Sequence, residues 1–586
     1  MCGIVGYLGI KPCEEVLLNM LSTLDYRGYD SSGIAVKADN NINLLKDTCS
    51  VSELTNFIDT YHYGFGIGHT RWATHGKSTQ INAHPHFSTN KEFYVVHNGI
   101  IENYKELKQT LINNNKTFIS ETDTEIIPQL LEHYNAYDIH TFIDSINKLT
   151  GSYAIATINS KNNHIFLAKN KSPLYISTTD NEIFISSDPL SFSNYNSNFY
   201  ILEDNEFCDV FDNMCIFYDN MHNVIDKKIH NISLDYNSSN KCNYSTFMEK
   251  EIYEIPKVLD NIINNYSDNT YLSQLNNYDI KDINNIKIIG CGSAYHSGLI
   301  GAKYLEYMVG IPTNTNLASE YLYSNPIHTK GTLYIFVSQS GETADTINTI
   351  KMLPKSDLPI IAITNVLHST ISQLADIVLP IFAGPEIAVA STKAYVGQLL
   401  IFYLLALFLK HKTLSIDTIT HLKNLISKIN ISKLDYSKQL MDTISNPKDV
   451  ILIGKDTDYY TTLEGALKIR EITYDNILSV PSGELKHGSL ALVSDTTTAI
   501  VVITKEQLVQ KNINAVNEIT ARGGKCIIIT PFDIDVGVPV FKIPNLVIIT
   551  DIASIIPLQL YSLHRCIDYG YNPDKPRNLA KSVTVE

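Results

Sequence analysis

The sequence predicts a mixed chain, α+β in its front third and α/β behind, and three observations carry that prediction. The chain has 586 residues, more than one hydrophobic core usually supports, so two to four domains are expected. Its front third holds short alternating runs, Tyr153-Ala154-Ile155-Ala156, His164 to Ala168 and Ile183 to Ser187 among them, which read as strands. From about residue 285 the pattern becomes strand then helix, the mark of a parallel sheet flanked by helices.

Composition narrows the class. Hydrophobic residues make up 44% and charged residues 18%, as in a globular protein with an ample core. A formal net charge of -15 without basic runs argues against nucleic acid or an anionic membrane as partner. The nine cysteines form no Cys-x-x-Cys pair, so neither a disulfide framework nor a zinc site is suggested; no metal and no cofactor is expected, and the usage fits a reducing cytoplasm. The chain opens without a signal peptide, and its longest apolar run, Leu399 to Leu409, is short of the roughly 20 residues of a membrane span and reads as a buried helix.

In chain order, Met1-Cys2-Gly3-Ile4-Val5-Gly6 comes first. With Met1 removed, Cys2 carries a thiol and a free α-amine on one residue. Their ordinary pKa values, about 8.5 and about 7.7 to 8.0, are close enough for easy proton exchange at neutral pH. That is an N-terminal nucleophile, in which the residue's own amine serves as base. Three clusters supply what such a thiol needs to attack a carboxamide. In His69-Thr70-Arg71-Trp72-Ala73-Thr74-His75-Gly76 a guanidinium fork suits an α-carboxylate. In His97-Asn98-Gly99 a side-chain amide and a backbone N–H suit a developing oxyanion. In Glu121-Thr122-Asp123-Thr124-Glu125, Asp123 suits an ammonium. Singly, each has a plainer reading: a surface Arg, an Asn-Gly turn, a helix cap.

Together with Cys2 and Tyr26-Arg27-Gly28-Tyr29-Asp30-Ser31-Ser32-Gly33, and in this order, the clusters resemble the class II glutamine amidotransferases. The resemblance implies an N-terminal nucleophile αββα sandwich in which Cys2 attacks glutamine's side-chain amide. It further implies Asn98 and Gly99 as oxyanion hole, Arg71, Thr74, His75 and Asp123 as the grip on the amino-acid end, and Trp72, the single tryptophan, as gate of an internal ammonia passage.

The rear half is a diverged repeat. Shifting the chain by 164 to 166 positions lays Ile288-Ile289-Gly290 on Leu452-Ile453-Gly454, Gly301-Ala302 on Gly465-Ala466, Thr364 on Thr530 and Pro380 on Pro544. Two doubly wound parallel-sheet domains are therefore expected. In the first copy the apolar strand Leu333 to Val337 runs into Ser338-Gln339-Ser340-Gly341-Glu342-Thr343 and a helix, an anion cradle suited to a phosphate, or else a Ser/Thr-rich helix cap. The matching stretch of the second copy, Ile503-Thr504-Lys505-Glu506-Gln507, has lost that cradle. A Walker loop is absent, and Gly290-Cys291-Gly292-Ser293-Ala294-Tyr295 has Tyr where a dinucleotide fingerprint needs its third glycine. In the second copy Glu464, Lys468 and Glu471 share one helix face, and Gly483-Glu484-Leu485-Lys486-His487-Gly488 is a glycine-bounded loop with a titratable His. The plainer readings are a surface ion pair and a solvated loop histidine.

These segments, with Glu386 to Lys393 and the tail Arg577 to Glu586, are similar to the paired sugar isomerase domains of the glutamine:fructose-6-phosphate amidotransferase family. That resemblance implies L-glutamine and D-fructose 6-phosphate as substrates and a sugar phosphate held by Ser338, Gln339, Ser340 and Thr343, with Ser293 and Ser391 beside it. Lys581 is implied as Schiff-base lysine, Glu471 as the base moving a proton between C1 and C2, and Lys468 as its assistant. His487 is implied as ring opener, contributed by the neighbouring subunit of a homodimer. The expected limits are 1–218 for the glutaminase domain, 219–247 for a linker, 248–430 and 431–576 for the two isomerase domains, and 577–586 for a catalytic tail. Two departures stand out against the family's pattern: Ser293-Ala294 replaces a usual Thr-Ser, and Gly454-Lys455-Asp456 replaces a usual Gly-Arg-Gly.

Overall fold

The computed structural model describes the chain apart from residues 1, 26–27, 39–40, 73–75, 232–240, 279, 355–357, 445, 447–448 and 585–586, and the side chain of residue 280. It divides into two compact units, Met1–Asn237 with Ala580–Glu586, and Ser238–Leu579.

The first unit is built on two antiparallel sheets of eight and seven strands. In the eight-stranded sheet Gly3–Pro12 and Tyr63–Arg71 lie side by side. In the seven-stranded sheet Phe93–Ile101 pairs with Gly151–Asn159. One apolar cluster joins the inner faces, with Ile4 and Ile67 from one sheet and Val96, Ala154 and Leu167 from the other. The outer faces are covered by helices: Cys13–Leu24 packs on Val5 and Val36, and Ile126–His133 with Ile139–Ile146 packs on Phe93, Val95 and Phe166. Four layers, αββα, result. The central strands are apolar on both faces because each face has a layer against it. These sheets run past residue 218, since Val224–Ile225 pairs with Met214–Tyr218 and His230–Asn231 pairs with Asn198–Ile201.

The second unit holds two five-stranded parallel sheets of identical order. In the first, Asn285–Gly290 lies between Thr313–Leu317 and Thr332–Ser338, followed by Ile360–Thr364 and Ile377–Pro380. In the second, Val450–Gly454 lies between Leu478–Pro481 and Thr498–Val502, followed by Lys525–Thr530 and Val540–Lys542. Strand order 2-1-3-4-5 puts a crevice beyond the carboxyl ends of the first and third strands, where chain direction switches sides.

The repeated glycines now have a reason. A Cβ on Gly301 would lie 2.4 Å from the Phe402 ring, and one on Gly465 2.4 Å from Leu558. In both copies a helix after the first strand is pressed onto a long apolar one. One expected equivalence is corrected. Pro380 pairs with Thr364, but Lys542, not Pro544, pairs with Thr530, because the loop before the last strand is shorter in the second copy. Two stretches, Lys393–His411 and Val547–Asp568, are long and apolar enough to cross a membrane, yet 78% and 83% of their apolar windows are buried inside the unit, as core helices are.

Candidate functional site

In the first unit, strand register brings the expected residues together. Gly3 sits opposite Thr70, so Cys2 falls beside Arg71 and Trp72. The Trp72 N–H points at the Cys2 sulfur, 3.3 Å away. Burial pushes the Cys2 thiol above its ordinary pKa, against the pull of that N–H and of the Arg71 guanidinium. Asn98 donates from Nδ2 to the Cys2 carbonyl at 3.0 Å. Asn98-Gly99 forms no turn; both residues lie in the strand Phe93–Ile101. Gly99 has φ +128°, and a Cβ there would lie 2.0 Å from the Ser152 carbonyl oxygen, so only glycine fits.

Arg71 is buried, and its head lies 3.4 Å from the Lys77 carbonyl and 3.5 Å from the Gly76 carbonyl. Burial draws its pKa down while the charges of Cys2, Asp30 and Asp123 oppose that. Asp123, also buried, accepts the Ile101 N–H at 2.7 Å. The Thr/Asp cluster is no helix cap: the following helix, Ile126–His133, has no side-chain cap. Thr74 and His75 lie outside the described residues. Trp72 is half-buried.

In the second unit the cradle lies at the crevice. Ser338 ends its strand, accepts the Gly341 N–H at 3.0 Å and shares a hydrogen bond with Thr343 at 3.0 Å. Ser340 accepts the Glu342 N–H at 3.2 Å, and Gln339 and Ser340 are half-buried. The helix Ala344–Met352 begins without a side-chain cap, so the Ser/Thr run is a loop held in shape by its own hydroxyls in front of a free helix start. Gly341 at φ +68° passes so close to Ser369 that a Cβ would lie 1.9 Å from its hydroxyl oxygen.

The helix Thr457–Thr473 carries the ionic group, and it is no surface pair. Glu464 and Lys468 are fully buried. Lys468 Nζ lies 2.7 Å from Glu471 and 3.3 Å from Glu464. Ser293 donates to Glu464 at 2.8 Å and accepts from Lys468 at 3.0 Å, and His296 Nδ1 lies 2.8 Å from the other Glu464 oxygen. Burial alone would strip the Lys468 proton, but the two carboxylates overcome it and hold the ammonium above its ordinary range. Burial likewise opposes the Glu464 charge, and Lys468, His296 and Ser293 outweigh it to hold that carboxyl low.

Three other expected residues are placed as follows. Ser391 donates to Glu386, which also accepts the Thr392 and Ala394 N–H groups at the start of the helix Lys393–His411. His487 is exposed, on a short turn that ends at Gly488 with φ +144°. Lys581 is half-buried and belongs to the first unit.

The second copy's crevice holds something the motifs did not disclose. A shift of 164 lays Asp456 on Gly292 and Asp458 on Ala294. Gly292 has φ 54°, ψ -128°, and Asp456 has φ 60°, ψ -129°. Asp458 is fully buried and accepts the Thr504 N–H at 3.0 Å and pairs with the Thr504 hydroxyl at 2.5 Å. A carboxyl group of the chain itself thus takes the amide and hydroxyl of Thr504 at the place that Ala294 holds in the first copy. Aligning the repeats residue by residue exposes this; reading loops by motif does not. Also missed were four buried imidazoles behind Asn98, at His69, His84, His86 and His97, for which the signal was His density around Asn82-Ala83-His84-Pro85-His86.

Comparisons with known proteins match both units. A glutamine amidotransferase domain model matches residues 69–194, and a SIS domain model matches residues 279–408 and 443–535. The glutamine--fructose-6-phosphate aminotransferase [isomerizing] of Caldanaerobacter subterraneus subsp. tengcongensis is 40% identical, over 100% of both chains. The protein of the same name from Clostridium tetani is 39% identical over 100% of both. Among solved structures, the C-terminal domain of glucosamine-fructose-6-phosphate aminotransferase from Francisella tularensis aligns at 31% identity and TM-score 0.53, covering 57% of this chain and 99% of that one.

Proposed function

From the premise that the chain belongs to the glutamine–fructose-6-phosphate aminotransferase (isomerizing) family, we propose how its own residues carry the reaction of L-glutamine with D-fructose 6-phosphate to D-glucosamine 6-phosphate and L-glutamate, the first step of amino-sugar synthesis. After removal of Met1, the Cys2 amine takes the thiol proton and the sulfur attacks glutamine's side-chain carbonyl. The oxyanion that forms is met by Asn98 Nδ2 and the Gly99 N–H. Arg71 and Asp123 grip the α-carboxylate and α-ammonium, Thr74 and His75 complete the grip, and Trp72 guards the exit. Collapse of the tetrahedral intermediate expels ammonia and leaves a thioester, which water hydrolyses to glutamate.

In the second unit Ser338, Gln339, Ser340 and Thr343 hold the sugar phosphate, with Ser293 and Ser391 in supporting places. Lys581 forms the Schiff base with the ketone, and His487, from the partner of a homodimer, opens the ring. Glu471 then moves the proton between C1 and C2. Lys468 lies beside that carboxyl at 2.7 Å and assists it. The expected limits of the two isomerase domains, 248–430 and 431–576, with the tail acting as a catalytic segment, and a cytoplasmic setting belong to the same reading, while the glutaminase domain extends past its expected end at 218 to include the strand His230–Asn231.

The observation that carries it is the junction of Cys2, Trp72 and Asn98, a thiol within reach of one N–H and beside a carboxamide donor. The test is incubation with both substrates. Glucosamine 6-phosphate and glutamate are expected in equal amounts, and Cys2→Ala is expected to abolish both while fructose 6-phosphate still binds. Glutamate without amino sugar would refute the synthase reading.

A further inference from the structure

We propose that His69 is a positioning residue for glutamine cleavage: it fixes which end of the Asn98 carboxamide faces the Cys2 sulfur. This rests on Asn98 as oxyanion donor. A carboxamide is nearly symmetric in shape, so an inverted Asn98 would fit the same space and present oxygen, not N–H, to a developing negative charge. Something must make the two orientations unequal.

His69 Nε2 lies 3.0 Å from Asn98 Oδ1 and 3.1 Å from the His97 carbonyl oxygen. Both neighbours are acceptors, so Nε2 must carry the proton and donate. Inversion of Asn98 would set its NH2 against that N–H. It would also lose the Nδ2 hydrogen bond to the Cys2 carbonyl. The tautomer is fixed because the ring is neutral: burial draws its pKa down to about 3, so it has one proton, and that proton is on Nε2. Nδ1 is buried with no hydrogen-bond partner, consistent with a bare lone pair there and the proton on Nε2.

The ring itself cannot turn freely. It stacks on His84 at 4.1 Å, His84 meets His86 at 4.6 Å, and Thr124 is hydrogen-bonded both to His84 Nε2 at 3.1 Å and to His97 Nδ1 at 2.9 Å. The packed imidazoles therefore hold the His69 ring so that its Nε2 donor is shared between Asn98 Oδ1 and the His97 carbonyl. With one Nδ2 proton on the Cys2 carbonyl, the second is left for the oxyanion.

The test is steady-state glutamine hydrolysis by the full-length enzyme with fructose 6-phosphate present, comparing His69→Leu, His69→Gln, Asn98→Ala and the Asn98→Ala/His69→Leu double variant. His69→Leu is expected to lower kcat about 10–100-fold, part of what loss of an oxyanion donor costs, with KM for glutamine within about twofold. His69→Gln, which carries a donor at similar reach, is expected to recover most of it. In the Asn98→Ala background His69→Leu is expected to have no further effect. An unchanged kcat in His69→Leu, or an equal loss in both backgrounds, overturns the proposal. If His69→Leu does not fold, His69→Gln against the shorter His69→Asn decides: equal kcat overturns it. Should Asn98→Ala itself leave kcat intact, the oxyanion assignment falls; should only the His69 variants be silent, the assignment stands and this proposal falls.

Discussion

Replacing Asp458 by Asn should free the second repeat from a pH penalty that the wild type carries. Asp458 is fully buried, with the Asp551 carboxyl near enough to repel its charge. Burial first, and Asp551 second, push its pKa up from 3.8 to about 8, against the Thr504 hydrogen bonds and the Lys505 charge. The folded chain thus binds this proton more tightly than the unfolded chain. The stabilisation is complete below pH 3.8 and is lost as pH rises through about 8. A difference of roughly 4 pH units at about 1.36 kcal/mol each sets a ceiling near 6 kcal/mol, and an effective interior dielectric well above that of dry protein brings the expected effect to about 2–4 kcal/mol. Asn keeps an acceptor for the Thr504 N–H and has no proton to lose. Differential scanning calorimetry from pH 4 to pH 9 should show the Asp458→Asn transition rising above the wild type's by several degrees at the alkaline end and converging with it near pH 4. Parallel curves across that range would refute the claim that the buried carboxyl is protonated.

Three further outcomes are expected from the same structure. Asp456→Gly should raise stability by about 1 kcal/mol: relief of a non-glycine residue at φ 60°, ψ -129° is worth about 1–3 kcal/mol, and the partly exposed Lys505–Asp456 pair lost with it about 0–1; thermal melting measures the balance. Gly99→Ala should abolish glutamine turnover while fructose 6-phosphate binding, followed by calorimetry, is unchanged, because the new Cβ would lie 2.0 Å from the Ser152 carbonyl oxygen. Lys468→Met should leave Glu464 buried beside Glu471 without their shared ammonium, cost about 3–5 kcal/mol in denaturant melts, and end sugar isomerisation even where the fold survives.

What the sequence made legible was whatever repeats at short range. The strand-then-helix alternation and the 164-residue shift led to two parallel sheets of one order, and the paired Gly301 and Gly465 turn out to be the close approaches of two equivalent helix pairs. The equivalence of Pro380 with Pro544 failed because a proline match ignores loop length, whereas strand pairing sets Pro380 against Lys542. The end of the front sandwich was hidden for a different reason. Val224–Ile225 and His230–Asn231 are two-residue edge strands, too short for any periodicity to show.

The candidate site divides along the same line. Cys2, Asn98, Gly99 and the Ser338 cradle were visible because their chemistry needs particular residue types in one short stretch. Burial was not visible, and burial is what changes the meaning of Glu464 and Lys468: four apart on a helix they read as a surface pair, but at zero exposure with Ser293 and His296 against them they form a closed charge relay. Asp458 shows the principle most sharply. In the sequence it is one acidic residue near a helix start; in the fold it lies where the first copy has Ala294, and its carboxyl group pairs with the Thr504 N–H and hydroxyl. The second copy's crevice is thus filled in part by a carboxyl group the chain already owns. Beside the loss of the Ser338–Thr343 run, the asymmetry between two copies of one fold therefore includes a carboxyl side chain in place of a methyl group at one helical position.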